Sequence, residues 1–413
     1  MIDTELYHYI LGIEDPWLVS QVELDIDAET VRVNVDYDRQ TASFVCPECG
    51  HPAPVYDHRE QRSWRHLDSC QFQTYLLACL PRVECPDHGV QTVRVSWCEP
   101  NSRFTLLFER FAIMVLQATT VQAKAASLLR LNAGQVHDIM ERAVKRGLVR
   151  RDHNETLKHL SLDEKSFQKG QKYITVLGDS EAKRVLEVIE DRTLEATKTL
   201  ITDSLSAPQR EQVQSVSMDM WSPYKGAREA VLPQAETVHD RYHIAAYLND
   251  AVDKTRRAEN RELYKMQDKT LLKTKYLWLK SEENLTDKQR IAFESLKGLE
   301  LETAKVWAFK ENFRQFFACQ TLYGAETFFH HWHEAAIALD NRHLSQVAEM
   351  LRNHLDGLLA YIRHRVTNAI AEGLNGQIQH IKAAARGFRR FTNFRIAILF
   401  FLGKLELYPH KSS

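Results

Sequence analysis

Two short segments near the N-terminus pair metal-binding residue types at the spacing of a zinc site. The four residues are Cys46, Cys49, Cys85 and His88. A C-x-x-C or C-x-x-H spacing lets one tight turn present two donors to the same ion, and three thiolates with one imidazole complete a closed tetrahedral site. We therefore predict a structural Zn²⁺ here, with Cys70 or Cys98 as the alternative fourth ligand to His88. Clustering of the cysteines in this segment favours a metal site in a reducing compartment over a disulfide framework.

Three acidic residues stand where strands and a late helix can bring carboxylates together. They are Asp163, Asp219 and Glu372. The two aspartates end the strand-like runs HLSLD and VSMD, and Glu372 shares a helix face with Asn368 and Asn375. Carboxylates suit hard cations such as Mg²⁺ or Mn²⁺. Two such ions, about 3.5–4 Å apart, activate an attacking oxygen and stabilise a leaving oxygen in phosphodiester displacement.

A fourth acid leaves the second ligand of this site open. Asp240 ends another strand-like run, AETVHD, and begins the segment DRYH, which ends at His243. It is an alternative to Asp219 as the second metal ligand. In the other case, Asp240 and His243 support the site or the bound DNA.

The charge of the chain is distributed unevenly. The net charge is only −1, but residues 1–40 contain ten acids and two bases, whereas residues 361–395 contain seven bases and one acid, Glu372. Screening limits the electrostatic field to roughly 10 Å, so local charge decides contacts with phosphates. We expect Lys382, Arg386, Arg389 and Arg390 to bind DNA backbone near Glu372.

The segment 121–147 has the layout of a helix-turn-helix. One apolar helix face ends at the turn LNAG, and a second helix begins at Gln135. In such a motif the second helix enters the major groove of DNA. Its exposed side would present Gln135, His137 and Arg142 to the bases. A plain helical hairpin is the alternative.

The elements around these residues indicate several domains. Alternating residues in 31–38 and strand-like runs at 72–80 and 91–97 predict a small β-rich head. Three β-rich runs from 158 to 190, followed by alternating helix and strand, predict a mixed α/β layer. Residues 241–360 read as almost wholly helical. The predicted domains are a zinc-binding head at 1–103, a helix-turn-helix region at 104–152, an α/β catalytic domain at 153–245 and 362–413, and a helical insertion at 246–361.

Ordered motifs along the whole chain resemble one known family. They are CPECG, RVECPDHGVQTVRV, LSLDEKSFQKGQKYITVLGD, SMDMWSPYKGA, LPQAETVHDRYHI and AEGLNGQIQHIKAAARGFRRFTNFRIAILF. The chain resembles the bacterial insertion-sequence "L-three" transposases, which carry a DDE catalytic domain of the RNase-H-like fold. The family's second knuckle often ends in Cys, where this chain has His88.

The resemblance implies a fold, an activity and partners. It places the three catalytic acids on Asp163, Asp219 and Glu372, with Asp219 preferred to Asp240 because it ends the fourth strand, next to the first in an RNase-H-like sheet. The expected protein binds transposon terminal inverted repeats, cleaves DNA by metal-activated hydrolysis and joins the 3′ ends to target DNA. Double-stranded DNA is the expected partner, with a homodimer in the DNA complex.

Two rival functions remain at this level. One is a catalytically inactive DNA-binding regulator derived from a transposase, and the other is a nuclease or resolvase that cuts without joining. The most apolar run, 396–402, is too short to span a bilayer and the N-terminus has no apolar signal core. We therefore expect a cytoplasmic, nucleoid-associated bacterial protein that does not enter the membrane. Three tryptophans of the helical insertion (Trp278, Trp307 and Trp332) are expected in its core, with base stacking by one of them as the alternative.

Overall fold

The computed structural model describes residues 3–168, 172–366 and 369–410 of the 413-residue chain. These residues form two compact units. The first contains residues up to 151 together with the chain end from 405, and the second contains the described residues from 152 to 404. Asn368, which the sequence placed on the face of Glu372, lies outside the described residues.

The first unit combines small sheets with four helices among its described residues. Its elements are α1 (Asp3–Leu11), β1 (Trp17–Asp25), β2 (Thr30–Tyr37), β3 (Val55–His58), β4 (Arg62–Arg65), β5 (Gln73–Ala78), β6 (Pro81–Cys85), β7 (Gly89–Thr92), α2 (Leu106–Thr119), α3 (Gln122–Leu129) and α4 (Ala133–Val149).

The strands of this unit form a β-rich head, as predicted. One sheet has the order β1-β2-β5-β4 and the other the order β3-β6-β7. In β2, Val31, Val33 and Val35 are buried while the residues between them are more exposed, because successive side chains of a strand point to opposite faces. These valines pack with Trp17 and Trp64 in a shared apolar core.

Helices α3 and α4 confirm the predicted helical layout of segment 121–147, although α4 begins at Ala133, two residues before the predicted Gln135. Helix α3 ends at Leu129, and the following residue, Arg130, has a φ of 53° that turns the chain. Asn132 then caps α4: its side chain accepts from the Gln135 amide, and the Gln135 side chain accepts from the Asn132 amide. The backbone N–H groups at the start of a helix have no partner within the helix. The cap provides acceptors for two such groups and so fixes the beginning of α4.

The end of the chain packs with the first unit, whereas the sequence assigned residues 362–413 to the catalytic domain. Arg146 donates to the carbonyl of Leu407, and Arg150 donates to that of Tyr408 at 2.7 Å. The α4 backbone is also close to Leu405, because a Cβ built at Gly147 would lie 2.6 Å from that side chain. These contacts join segments that are far apart in the sequence, so no local sequence pattern predicts them.

The second unit is a mixed sheet covered by helices. Its elements are β8 (His159–Gln168), β9 (Lys172–Asp179), β10 (Arg184–Glu190), α5 (Leu194–Ser204), α6 (Ala207–Gln212), β11 (Ser215–Met218), α7 (Ser222–Val231), β12 (Glu236–His239), α8 (Arg241–Lys265), α9 (Lys275–Leu279), α10 (Asp287–Lys297), α11 (Glu302–Ala318), α12 (Leu322–Ala338), α13 (Arg342–Asn353), α14 (Leu355–His364), α15 (Ala369–Ala384) and α16 (Phe391–Leu402).

The five strands have the order β10-β9-β8-β11-β12. The β8–β9 and β9–β10 pairs are antiparallel, whereas β11 is parallel to both β8 and β12. The predicted neighbour relation between the first and fourth strands of this unit is therefore confirmed. Gly178 of β9 allows close packing, since a Cβ there would lie 2.5 Å from Ser161 and 3.6 Å from Leu374 of α15.

Helices α8 to α14 enclose a second apolar core, as the helical pattern of residues 241–360 predicted. Trp278 and Trp332 are buried in this core, and Trp307 is partly buried against Phe293. The core interpretation of these tryptophans is confirmed, and the buried Trp278 and Trp332 rings offer no face to a nucleobase. Among the described residues, no helix is both long and apolar enough to cross a membrane.

Candidate functional site

The zinc ligands predicted from spacing converge in the head. The donor atoms of Cys46, Cys49, Cys85 and His88 all lie within 4.8 Å of one another. The Cys49 and Cys85 sulfurs are 3.7 Å apart, and His88 Nδ1 lies 3.8 Å from Cys46 Sγ and 3.5 Å from Cys85 Sγ. A tetrahedral site with Zn–S distances of about 2.3 Å separates its sulfurs by about 3.8 Å. The donor set therefore fits Zn²⁺, with His88 rather than Cys70 or Cys98 as the fourth ligand.

The turns that carry these ligands depend on backbone shape. Gly50 and Gly89 follow the two knuckles with φ of 77° and 66°, a region that disfavours other residues. The His88 side chain lowers the pKa of Cys85 to about 6 by hydrogen bonding to its sulfur. A thiol that ionises readily suits a zinc ligand, because the thiolate is the form that binds the metal.

The helix-turn-helix residues have different environments. Gln135 is half-buried and occupied by the capping box of α4, while His137 is half-buried one position before the exposed Asp138. Arg142 is engaged inside the unit: its guanidinium donates to Glu109 at 2.8 Å. Glu109 is 1% exposed, so Arg142 serves to neutralise a buried carboxylate.

The buried ion-pair network around Glu109 was not predicted from the sequence. Glu109 also pairs with Arg146 at 2.6 Å, and Arg146 in turn pairs with Glu99 at 2.6 Å. A buried charge is tolerated only when partners compensate it. The available signal was an acid within the apolar first turns of α2, in LLFERFAI, at a position where a solvated residue is not expected.

The candidate carboxylates meet at one end of the parallel strands. Met218 pairs with His239 in the register of β11 and β12, so Asp219 and Asp240 follow at equivalent positions on neighbouring strands. Ser161 pairs with Ser217 between β8 and β11, and extending that register by two residues sets Asp163 beside Asp219. Sheet topology thus gathers three acids that are far apart in sequence.

His243 stands between two of these acids. Its Nδ1 lies 3.7 Å from Asp219 Oδ1, and its Nε2 lies 3.6 Å from Asp240 Oδ2. The Asp240 side chain is 3% exposed and caps α8 by accepting from the Tyr242 amide at 2.9 Å. The Asp219 side chain is 29% exposed. Asp219 is therefore the more accessible of the two to a metal ion and substrate.

Helix α15 brings Glu372 and Asn375 to the same region. The buried Asn375 side chain donates to Asp163 Oδ2. Burial raises the pKa of Asp163, and the nearby Asp240 raises it further. Burial likewise raises the pKa of Glu372, with Asp240 and Asp163 adding to it. The carboxylates therefore repel one another, and a bound cation would relieve that repulsion.

These acids are spaced more widely than the zinc ligands. Among the described residues, the zinc cluster is the one group of three or more acid, histidine or cysteine ligands whose donor atoms all lie within 4.8 Å. The donor set consists of carboxylate oxygens, which fits hard divalent cations.

Three of the four predicted basic residues lie on the turn between α15 and α16, and the fourth, Lys382, lies in the last turn of α15. Arg386, Arg389 and Arg390 are exposed, and Gly387 has a φ of 93°. Lys382 donates to the Ser166 carbonyl of β8 at 2.7 Å, and Gln168 donates to the carbonyls of Phe388 and Arg389. These bonds hold the basic turn against the strand that carries Asp163.

Comparisons with known proteins agree with this arrangement. A family model described as the zinc-finger of transposase IS204/IS1001/IS1096/IS1165 matches residues 42–88, and one for the helix-turn-helix domain of transposase family ISL3 matches residues 93–144. A third, described as a transposase of the DDE type in the same family, matches residues 160–398, more than half of the chain.

Two curated relatives match this chain over at least 90% of their own length. The transposase for insertion sequence element IS1001 of Bordetella parapertussis is 26% identical, over 88% of this chain and 90% of the relative. The transposase for insertion sequence element IS1557 of Mycobacterium tuberculosis is 24% identical, over 94% and 93%. With its zinc ribbon, helix-turn-helix and catalytic segment each matched in order, the chain belongs to the ISL3 family of DDE transposases.

Proposed function

We propose that this DNA transposase binds the terminal inverted repeats of its element, cleaves the DNA by hydrolysis and joins the 3′ ends to target DNA. The observation that carries the proposal is the meeting of Asp163, Asp219 and Asp240 at one end of adjoining strands, with Glu372 of α15 close enough to Asp240 and Asp163 to be repelled by both. No observation favours a catalytically inactive regulator.

The catalytic domain of this proposal is an RNase-H-like fold at 153–245 and 362–404, interrupted by an all-helical insertion at 246–361. The sheet order supports it: three antiparallel strands are followed by two parallel ones, and the second acid ends the strand beside the first. A zinc-binding head at 1–103 and a helix-turn-helix region at 104–152 precede it.

Asp163, Asp219 and Glu372 are the proposed ligands of two Mg²⁺ or Mn²⁺ ions. The ions supply charge stabilisation for the attacking and leaving oxygens of the phosphodiester. Asn375 orients Asp163 by donating to its Oδ2. His243 lies between Asp219 and Asp240, where its imidazolium form would attract both carboxylates, and Asp240 fixes the start of α8.

The proposed chemistry needs no covalent enzyme intermediate. Water attacks the phosphorus at the transposon end, and the bond from phosphorus to the 3′ oxygen breaks, which leaves a 3′ hydroxyl and a 5′ phosphate. That 3′ oxygen then attacks a target phosphodiester, and a target 3′ hydroxyl departs. Both steps are in-line displacements at phosphorus, so one set of carboxylates serves both.

DNA recognition is assigned to the first unit and to the basic turn. His137 and Gln135, near the start of α4, would face the major groove, while Arg142 supports the fold. Lys382, Arg386, Arg389 and Arg390 would contact phosphates, which position DNA without reading its sequence. We further propose a homodimer in the DNA complex, because two transposon ends must be processed together, and association with the nucleoid.

One reaction tests the proposal. The purified protein is incubated with a labelled duplex of the element's end, a supercoiled target plasmid and Mg²⁺, with Mn²⁺ and EDTA in parallel. Cleavage at the end and covalent joining to the plasmid are expected only with a divalent ion. Cleavage without joining would instead indicate a nuclease, and sequence-specific binding without cleavage would indicate a regulator.

A further inference from the structure

One side of the helical insertion carries a concentration of positive charge that the proposed reaction does not use. Residues 254–280 contain nine bases and three acids, a net charge of +6. The remainder of the insertion, residues 246–253 and 281–361, contains eight bases and fourteen acids, a net charge of −6, and two of those acids, Asp250 and Asp253, pair with bases of the 254–280 segment. A charge this polarised within one domain concentrates the attraction for phosphates on a single surface.

The bases follow one face of the long helix α8. Lys254, Arg257, Arg261 and Lys265 recur at intervals of three and four residues and are all exposed, whereas Leu248, Val252 and Thr255 are buried. Residues at this spacing share one side of a helix. Exposed Lys269 and Lys273 continue the charge into the loop after α8. We call the set Lys254, Arg257, Arg261, Lys265, Lys269 and Lys273 the α8 basic surface.

Half of these bases have no acid to neutralise them. Lys254 pairs with Asp250, Arg257 with the buried Asp253, and Lys265 with Glu262. In contrast, Arg261, Lys269 and Lys273 form no ion pair with any described residue. Exposed Tyr264, on the same helix side and 59% exposed, adds a hydroxyl that can donate to a phosphate.

The position of the surface is set by α8 itself. The helix begins at Arg241, directly after Asp240, and His243 of its first turn contacts the candidate active site. At a rise of about 1.5 Å per residue, Lys254 lies about 20 Å and Lys265 about 36 Å along the helix from that end. At about 3.4 Å per base pair, DNA running alongside α8 would meet these bases about six to eleven base pairs from the reacting phosphate.

We infer that the α8 basic surface binds target DNA as a duplex of arbitrary sequence. This inference rests on the proposed transposase reaction. The surface consists of lysine and arginine side chains suited to phosphates, and phosphate contacts carry no sequence information. Of the two DNA partners of the reaction, the transposon end has a defined sequence and a helix-turn-helix to read it, while the target has neither. The occupant that matches the surface is therefore the target.

The test separates target capture from end processing. The variant Arg261→Ala/Lys269→Ala/Lys273→Ala removes only bases without ion pairs, so folding is expected to be unaffected. The control, Lys288→Ala/Arg290→Ala/Arg352→Ala, removes three exposed bases from the acidic remainder of the insertion, where Arg290 pairs with Asp287 and Arg352 with Glu349 at the surface. End cleavage, joining of pre-cleaved ends to a plasmid, and binding to random-sequence duplex are measured for each protein across a range of salt concentrations.

The expected result is a selective loss. Joining of pre-cleaved ends should fall and the salt slope for random duplex should decrease by about 2.7, at about 0.9 per phosphate contact, while end cleavage equals that of the wild type. An equal fall in end cleavage would assign the surface to the end duplex and overturn the inference. Behaviour identical to the control variant would show a merely solvated face. If the wild type neither cleaves nor joins DNA, the proposed function fails, whereas the random-duplex slope still decides whether the surface binds DNA.

Discussion

At the residue scale, the candidate active site brings together groups that would repel one another in the absence of a cation. Asp163 is held by Asn375 on one side and lies in the field of Asp240, and both Asp163 and Glu372 have a raised pKa whose main cause is burial. The charge of Asp240 raises the pKa of both Asp163 and Glu372, although Asp219 is more exposed than Asp240. The two aspartates therefore need separate tests.

The first prediction concerns the carboxylates. Asp163→Asn, Asp219→Asn and Glu372→Gln each remove a negative charge while nearly preserving shape, so divalent ions should bind weakly and both cleavage and joining should fall by about 10²–10³-fold or more. Binding to transposon ends should persist, since it depends on the first unit. Gel assays of cleavage, joining and end binding check all three expectations.

Asp240→Asn is the control for that assignment. If it eliminates catalysis while Asp219→Asn remains active in Mg²⁺, then Asp240 is the second metal ligand. Activity in all four variants would rule out the carboxylate mechanism altogether.

The second prediction concerns pH in the absence of divalent metal. A carboxyl whose pKa is higher in the folded than in the unfolded protein stabilises the fold below its unfolded pKa, and this contribution is lost as pH rises through the folded pKa. Asp163 has such a raised pKa. Asp163→Asn removes the titration, so in EDTA the melting temperature of the variant should increasingly exceed that of the wild type as pH rises from 4 to 7.

Calorimetry of both proteins over that range measures the difference. A difference that does not change with pH would mean that Asp163 ionises as easily in the folded protein as in the unfolded one. Added Mg²⁺ should reduce the gap, because it stabilises the wild type and not the variant.

At the element scale, the motifs of the first unit contain a compensated buried charge, at Glu109, and a cluster of four ligands that fits a zinc ion. The β3-β6-β7 sheet has only short strands, and Cys85 ends β6 while His88 precedes β7. Structural zinc contributes roughly 10–16 kcal/mol of apparent binding free energy in small domains, which is also folding free energy. Such a sheet gains more from the ion than from its core.

The third prediction follows for the head. Freshly purified protein should contain one Zn²⁺ per chain, and Cys46→Ser or Cys85→Ser should lose the metal, unfold the head and abolish specific end binding. Elemental analysis and end-binding assays measure these effects. Cys79→Ser, at an exposed cysteine outside the cluster, is the control and should retain both the metal and binding. Protein purified without zinc yet active in end binding would contradict the assignment.

The fourth prediction separates support from recognition in the helix-turn-helix. Glu109→Gln leaves Arg142 and the buried Arg146 short of a counter-charge, and breaking a buried ion pair costs about 3–5 kcal/mol. It should lower the free energy of unfolding by about 3 kcal/mol. His137→Ala should leave stability within about 0.5 kcal/mol and weaken end binding instead. Denaturant unfolding and end-binding titrations distinguish the two, and the roles are reversed if His137→Ala destabilises while Glu109→Gln does not.

At the scale of the whole molecule, affinity for DNA does not follow from total charge. The chain has a net charge of −1, yet the turn after α15 and one face of α8 are strongly basic. The acidic residues that balance them lie elsewhere, in residues 1–40 and in the later helices of the insertion. Because screening acts within roughly 10 Å, each basic surface acts on DNA independently of that balance.

The fifth prediction concerns the basic turn. Arg386→Ala/Arg390→Ala should weaken binding to all DNA sequences alike and reduce the salt slope of binding by about 1.8, at about 0.9 per contact. Both arginines are exposed, so stability should change little. Titrations of end duplex and random duplex at several salt concentrations provide the measurement, and an unchanged slope would identify a solvated turn.

The sequence alone determined what depends on short-range pattern. The zinc ligands follow from two local spacings, the strand β2 from alternation of apolar residues, and the helix-turn-helix from apolar spacing and the turn LNAG. Side-chain direction repeats every two residues in a strand and about every 3.6 residues in a helix. Such elements can therefore be predicted from the sequence without knowledge of the fold. The order of strands and helices in the second unit was predictable for the same reason.

Only the tertiary structure decided which side chains meet across the chain. Asn375 donates to Asp163, His243 stands between Asp219 and Asp240, Arg142 is neutralised by Glu109, and the chain end packs on α4. These contacts depend on strand order, on register and on the packing of helices against the sheet, none of which has a periodic signature in the sequence. Burial and neighbouring charges determine the pKa and the contacts of each of these side chains. Residue type alone therefore does not predict their roles.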